Sequence, residues 1–251
     1  MRLMHYNVLF DTIELQLLEQ IVDQTKPDIL TLNEVQPEEL ELLQEKGYHT
    51  LFAETTKEGR HYGNGIAWKK QFTPRSIRTI IQDLKTPLLI WETELFSVYV
   101  THLAAKEGEE VRFKEIQKII QYLPPQQDFF LVGDLNTLSP HDGYDLQELE
   151  KGMQRQGHAK FGIPVSMKVI PYLEEQGLVD VLQKANAAFP TVPTGEGTPE
   201  HEKRQHFQPL RLDYIFATRR LAERVKKAYV LRSPAAEKCS DHYPIVAEFD
   251  F

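Results

Sequence analysis

Eight side chains able to bind a cation, move a proton or grip a phosphate stand where apolar segments stop: Asn7, Glu34, His102, Asp134, Asn136, Asp213, Asp241 and His242. The sharpest stop lies in Asp128-Phe129-Phe130-Leu131-Val132-Gly133-Asp134-Leu135-Asn136-Thr137. A buried strand over Phe129–Val132 delivers Asp134 and Asn136 to its carboxyl end. Strand alternation turns both the same way, and Gly133 leaves room for close backbone approach. An acceptor-only carboxylate beside a neutral amide suits a hard cation or a water held against a phosphate. Taken singly, an Asp at a strand end is ordinarily a cap or turn residue, and a lone His is ordinarily exposed or a satisfied core residue. Their recurrence at strand ends is what points to a site, because sites are built along one edge of a sheet. Two other metal chemistries fail on spacing. An EF-hand starting at Asp134 lacks the glycine in sixth place and has Asp145 for the closing Glu. His102 and His242 have no neighbour at zinc-ligand spacing.

The elements that must position these residues read as strands and helices in turn. Arg2–Leu9 is a strand with Asn7 near its end. Asp11 is an N-cap for the helix patterned by Ile13, Leu17, Leu18, Ile21 and Val22, which Pro27 ends. Asp28–Val35 is a second strand running into Glu34, and a helix over Pro37–Lys46 follows with its proline in the first turn. From Gly47 to Leu103 the texture is β. It runs through Tyr48–Ala53, a polar turn from Lys57 to Gly65, Ile66–Trp68, Ile77–Ile81, Leu88–Leu95 and Phe96–Val100, the last depositing His102 at a strand end. Val111, Ile116, Ile119, Ile120 and Leu123 give a helix over Lys106–Leu123, closed by Pro124-Pro125. Thr137–Pro171 reads as an irregular surface excursion, Glu174–Phe189 as a short helical stretch and Pro190–Pro209 as a polar loop. Arg211–Ala217, Val225–Leu231 and Tyr243–Phe251 are the closing strands, with Ser240-Asp241-His242 just ahead of the last.

With 251 residues and no repeat, low-complexity tract or linker, the chain reads as one domain over residues 1–251, able to bury a sizeable core. Its net charge of −8 argues against a general nucleic-acid coat protein. A nucleic-acid enzyme survives that test, since a bound cation neutralises local carboxylates. The single cysteine, Cys239, excludes an intramolecular disulfide and a multi-cysteine zinc site. Met1–Phe10 lacks the apolar core and cleavage site of a signal peptide, and no run is long enough to span a bilayer. The expectation is a cytoplasmic protein without membrane insertion, monomeric by default.

Six segments together resemble the endonuclease/exonuclease/phosphatase superfamily, the deoxyribonuclease-I-like and abasic-endonuclease-like fold. They are Tyr6-Asn7, Leu32-Asn33-Glu34-Val35, Thr101-His102-Leu103, Gly133-Asp134-Leu135-Asn136, Leu212-Asp213-Tyr214-Ile215-Phe216 and Ser240-Asp241-His242-Tyr243-Pro244, in the family's order and nearly from end to end. Asn33 stands where the family often has Gln. The resemblance implies a four-layered α/β sandwich, two mixed β-sheets packed face to face with helices outside. It implies an Mg²⁺ site, with Mn²⁺ as a substitute, having Glu34 as principal ligand and Asn7 and Asp241 close by. It also implies catalytic roles for five residues. Asp134 acts as base, Asn136 donates to the phosphoryl oxygens, Asp213 holds the ring of His242 against the scissile phosphate, and His102 stabilises charge or protonates the leaving oxygen.

The expected activity is hydrolysis of phosphodiester bonds, with a nuclease favoured. A phosphatase or phosphodiesterase working on a small or lipid phosphate is the alternative, and a noncatalytic binding module is a further one. Lys203, Arg204, Arg211, Arg219, Arg220, Arg224, Lys226, Lys227 and Arg232 form a basic stretch that reads either as a solvated face or as a polyanion groove. Tyr62, Tyr144, Phe161 and Phe207 are candidates for stacking on bases, or for packing. No exposed apolar hairpin of the kind a sphingomyelinase needs is evident, nor are the arginine signatures of inositol phosphatases found after Asn136.

Overall fold

The computed structural model describes residues 1–10, 14–57, 60–82, 84–124, 127–193 and 208–251. Asp11, Ile13, Pro125, Lys203, Arg204 and Phe207 lie outside the described residues. Among the described residues, β-branched and aromatic runs form twelve strands, β1 Arg2–Asn7, β2 Ile29–Val35, β3 His49–Lys57, β4 Arg60–Trp68, β5 Ser76–Ile80, β6 Leu88–Glu92, β7 Ser97–His102, β8 Phe129–Asp134, β9 Leu178–Asp180, β10 Asp213–Thr218, β11 Val225–Val230 and β12 Ile245–Phe249. They build two six-stranded sheets, in the orders β11-β12-β1-β2-β4-β3 and β5-β6-β7-β8-β10-β9. Each sheet has one parallel pair at its centre, β1 with β2 and β7 with β8, and antiparallel pairs elsewhere.

The sheets pack face to face. β1 and β2 lie against β7, β8 and β10, and strand alternation decides which side chains meet there. On β1, His5 and Asn7 face the second sheet, reaching Asp213 and Asp134, while Met4 faces outward to Thr25. Helices α1 Leu15–Thr25 and α2 Pro37–Glu45 cover the first sheet; α3 Glu109–Ile120 and α5 Val169–Glu175 cover the second, with Ile116 and Ile119 packed on Tyr99 and Leu131. The result is the expected four-layered α/β sandwich with two mixed sheets.

Three segments depart from the sequence reading. The supposed turn Lys57–Gly65 is strand β4, paired with β3 all the way to Lys57 opposite Arg60. Its glycines look like turn residues but serve close packing: a Cβ on Gly63 would overlap the carbonyl of Ala53 on the neighbouring strand. The supposed excursion Thr137–Pro171 contains α4 Leu146–Gln156, whose first amides are capped by Asp145, accepting from Glu148 N at 3.0 Å. Leu149 and Met153 of α4 join Leu138, Phe161, Val192, Leu210 and Leu212 in a buried cluster, so this region is a packed layer. The stretch Glu174–Phe189 holds the end of α5, strand β9 and a single helical turn, α6 Val181–Lys184, rather than one helix.

Candidate active site

The strand directions bring the eight candidates to one edge. Asn7, Glu34, His102 and Asp134 lie at or near carboxyl ends; Asp213 opens β10, which runs antiparallel to β8, and Asp241 and His242 precede β12, antiparallel to β1. Ser240 Oγ donates to the carbonyl of Asn7 at 2.7 Å and accepts from His242 N at 3.2 Å, which ties the 240–242 turn to the end of β1. At Gly133 a Cβ would run into the carbonyl of Thr101, its register partner on β7, so glycine lets β7 and β8 close up and sets His102 opposite Asp134.

Glu34 owes its position to a break in β2. Leu32 pairs with Gly65 and Val35 with Gly63, so two residues of β2 oppose one of β4, and Glu34 adopts φ 58°. Such left-handed backbone in a non-glycine residue costs about 1–3 kcal/mol and persists where the surroundings fix it. Phe10 N donates to Glu34 Oε2 at 3.4 Å and Asn7 Nδ2 to Glu34 Oε1 at 3.3 Å.

Asp134 is the hub. Its Oδ1 accepts from the backbone amide of Asn136 at 2.8 Å, and its Oδ2 accepts from Asn7 Nδ2 at 3.2 Å. Two imidazoles face that same Oδ2, His102 Nε2 at 3.6 Å and His242 Nε2 at 3.7 Å. His242 Nδ1 lies 2.7 Å from Asp213 Oδ2, and its Nε2 is 4.0 Å from Asp241 Oδ1. His102 Nε2 is also 3.8 Å from Glu34 Oε1. Asn136 lies past the strand with φ 49° and donates from Nδ2 to the carbonyl of Leu103 at 3.1 Å, so the turn rather than strand alternation places it beside Asp134.

The electrostatics follow from burial and crowding. Burial alone would raise the Asp213 carboxyl, yet the His242 imidazole, and after it His5, hold it well below the usual carboxylate range. Burial would lower His242, but Asp213 first, then Asp241 and Asp134, lift it to about 10. Glu34 is pushed up, by burial first and then by Asp241, with His102 and His242 opposing. Four carboxylates crowd one edge, and a divalent cation, were one bound, would offset the cost of charge on Glu34. Glu34 and Asp241 offer the hard oxygen atoms such an ion takes, so the residues fit the implied metal.

Asn7 stands between two of the carboxylates. Its Nδ2 faces Glu34 and Asp134, while its Oδ1 accepts from Leu9 N at 3.1 Å. It is therefore a donor holding two carboxylates together. Among the described residues, the compact potential chelate is Asp134, Asp213 and His242, whose ligand atoms lie within 4.8 Å of one another. That set is a poor cation site, because Asp213 Oδ2 is bonded to His242 and its Oδ1 faces His5 Nε2 at 3.4 Å.

Several residues escaped the sequence reading. Asn33 Oδ1 accepts from Asp134 N at 2.7 Å and its Nδ2 donates to Asn64 Oδ1 at 2.7 Å, linking the sheets beneath the hub. Arg112, fully buried, donates to Glu109 and to the carbonyls of Ala104, Glu107 and Lys160, binding the segment after His102 to the loop carrying Lys160. Burial first, and then Arg112, hold the Lys160 ammonium below its ordinary value, with Asp134, Asp241 and Glu34 opposing. Its Nζ lies 5.5 Å over the Phe161 ring. Neither Arg112 nor Lys160 stands in a local pattern that marks this clamp.

Two readings left open by the sequence are narrowed by the structure. Phe161 is buried, Tyr144 is bonded to Asp142 and Arg211, and Tyr62 stacks on Phe10 at 4.3 Å between centroids, so these three pack against protein. Arg211 is buried between Asp142 and Asp180, Arg220 pairs with Asp128, and Lys226 pairs with Asp250. Arg219 and Arg220 follow the far end of β10, about 17 Å from Asp213 at ~3.3 Å per residue, so these two do not line the site. Among the described residues, no helix is long and apolar enough to cross a membrane.

Comparison with known proteins agrees with this architecture. An AP endonuclease from Archaeoglobus fulgidus is 22% identical and aligns over 100% of both chains with a TM-score of 0.74. The 3′ phosphatase NExo from Neisseria, solved with its product DNA hairpin, is 20% identical over 100% of both chains, with a TM-score of 0.69. Truncated TDP2 from Caenorhabditis elegans is 20% identical, covering 99% of this chain and 96% of its own, with a TM-score of 0.61. At these identities the likeness is one of fold. Among curated proteins, none matches the chain in sequence. The Endonuclease/Exonuclease/phosphatase family model, however, matches residues 4–242, and the chain belongs to that family of phosphoester hydrolases.

Proposed function

We propose that the chain is an Mg²⁺-dependent phosphodiesterase acting on nucleic acid, as one catalytic unit over residues 1–251. The observation that carries the reading is the opposition, around Asp134 Oδ2, of a carboxylate and two imidazoles at 3.6 and 3.7 Å. Hydrolysis of a phosphodiester needs a base for water and positive groups for the charge that develops on phosphorus-bound oxygens. Asp134 is pinned through Oδ1, and its Oδ2, which accepts from Asn7 Nδ2, has a further lone pair for the proton of the attacking water. The His242 imidazolium, oriented by Asp213, presents its Nε2 proton to a nonbridging oxygen. Asn136 anchors one amide hydrogen on Leu103 and keeps the other for a second oxygen. His102 Nε2 has no hydrogen-bond partner among the described residues and is left to meet the leaving oxygen. Glu34 and Asp241 would hold the cation, which when bound neutralises charge building on the phosphate. Asn7 keeps Glu34 and Asp134 in place.

Two same-fold structures support nucleic acid as substrate, one an AP endonuclease and one a 3′ phosphatase solved with DNA. Lys160, whose charged form Asp134, Asp241 and Glu34 favour against burial, is the local cation assigned to the substrate despite the net charge of −8. The test is hydrolysis of abasic duplex, 3′-phosphorylated duplex, single-stranded DNA, RNA, bis-p-nitrophenyl phosphate and sphingomyelin, each with Mg²⁺, Mn²⁺ or EDTA, and with Glu34→Ala as blank. Cation-dependent cleavage of a nucleic acid that the blank lacks is the expected result. Turnover of sphingomyelin or the small diester alone overturns the substrate class.

A further inference from the structure

His5 has no part in the chemistry above, although it sits directly beneath it. It is fully buried on the central strand of the first sheet and points across the inter-sheet core. Its Nε2 lies 3.4 Å from Asp213 Oδ1, and its Nδ1 3.1 Å from Thr31 Oγ1. Neither His5 Nε2 nor Asp213 Oδ1 has a hydrogen-bond partner among the described residues. An apolar core needs no imidazole there, and a buried polar group left unmatched is destabilising. The Thr31 hydroxyl lies 3.3 Å from the carbonyl of Met4. If it donates there, His5 Nδ1 carries a hydrogen; if it donates to Nδ1, Nε2 carries one. A bare Nε2 would set a lone pair against a buried carboxylate, so the favourable arrangement places a proton on Nε2.

The Asp213 carboxylate is thus held between two imidazoles, His242 on Oδ2 and His5 on Oδ1, with His5 anchored in the opposite sheet. We propose that His5 is a positioning residue: it fixes the second oxygen of Asp213, so that the first stays on His242 Nδ1 and Nε2 of that ring stays turned to the cleft. The proposal rests on the reading of His242 as a phosphate-contacting group. It also keeps Asp213 from serving as a cation ligand, because neither of its oxygens is left over.

The test compares His5→Leu, His5→Gln and His5→Asn in folded protein, with two readouts at one fixed pH. The first is the low-field Nδ1 proton resonance of His242, assigned by its loss in Asp213→Asn. The second is kcat and KM for bis-p-nitrophenyl phosphate with Mg²⁺. Removing a partner that orients a site ligand typically costs about 10- to 100-fold, so His5→Leu should lower kcat by that factor with KM within about threefold. The resonance should shift or broaden in the same variant. Gln, whose amide reaches the place of Nε2, should restore both readouts, whereas Asn, which reaches only Thr31, should not. If His5→Leu fails to fold, the contrast between Gln and Asn carries the test. A resonance that does not move in His5→Leu or His5→Asn overturns the proposal, as does wild-type kcat in an active protein. A resonance that responds in a protein without turnover leaves the positioning role standing and removes the phosphodiesterase reading instead.

Discussion

Replacing Asp213 with Asn tests the coupling between fold and chemistry. Asp213 Oδ2 sits 2.7 Å from His242 Nδ1, and Asp213 is the largest of the carboxylates lifting His242 from its ordinary 6.5 to about 10. That elevation is worth about 5 kcal/mol in favour of the imidazolium, at ~1.4 kcal/mol per pH unit. At pH 7.5 the wild-type ring is therefore protonated almost completely. In Asp213→Asn burial still disfavours the charge and the largest carboxylate opposing it is gone, so the ring should fall back toward its ordinary 6.5. About one-tenth or less is then protonated at pH 7.5, which alone lowers the rate about tenfold. Poorer ring orientation brings the total loss to ~10²-fold, the scale of a lost acid–base group. The assay is kcat/KM for a cleaved oligonucleotide from pH 5.5 to 9 at saturating Mg²⁺. The wild type should stay level on the alkaline side until His242 begins to lose its proton near 10. The variant should gain about tenfold on going from pH 7.5 to 6, as its ring becomes protonated. A variant with near wild-type rate and a level profile refutes the role given to the Asp213–His242 couple.

The remaining predictions use other parts of the molecule. Gly133→Ala forces a Cβ onto the carbonyl of Thr101 and should destabilise the protein by about 1–3 kcal/mol in urea unfolding, with loss of turnover as His102 and Asp134 part. Glu39 is raised to about 8, chiefly by burial, so its folded form holds a proton that the unfolded chain releases above pH ~4.3. Its contribution to stability is greatest below that pH and is lost as pH rises to 8. Glu39→Gln, which keeps the acceptor for Gln36 N, should gain up to about 3 kcal/mol over wild type at pH 7 and nothing at pH 4, read from paired urea titrations. Lys160→Ala should raise KM about tenfold with little change in kcat, as for a cation that grips phosphate equally before and during reaction; a loss confined to kcat contradicts this.

The ends of strands were the legible part of the sequence. Phe129–Val132 running into Asp134, and Ile29–Leu32 running into Glu34, are apolar runs whose polar stops fall at one edge because parallel strands share their direction. Strand β4 was not legible, because Gly63 and Gly65 resemble turn residues, and only the packed sheet shows the Ala53 carbonyl, Val35 and Leu40 that exclude a side chain there. Helix α4 was hidden by its polar composition; its narrow apolar stripe, Leu149 and Met153, makes sense only against Leu138 and Phe161. The pairings of His5, Asn33, Arg112 and Lys160 were invisible for a related reason. Each works through a partner at least 26 residues away or through a backbone carbonyl, and no local pattern encodes such a pairing.

The most direct test of the whole account is turnover of a nucleic-acid substrate by wild type, Glu34→Ala, Asp134→Ala and His242→Ala, each purified, folded and assayed with Mg²⁺. Loss of at least ~10²-fold in every variant is the predicted result, since each removes a cation ligand, the base or the phosphate contact. Near wild-type turnover in all three would contradict the assignment of this strand edge as the catalytic site.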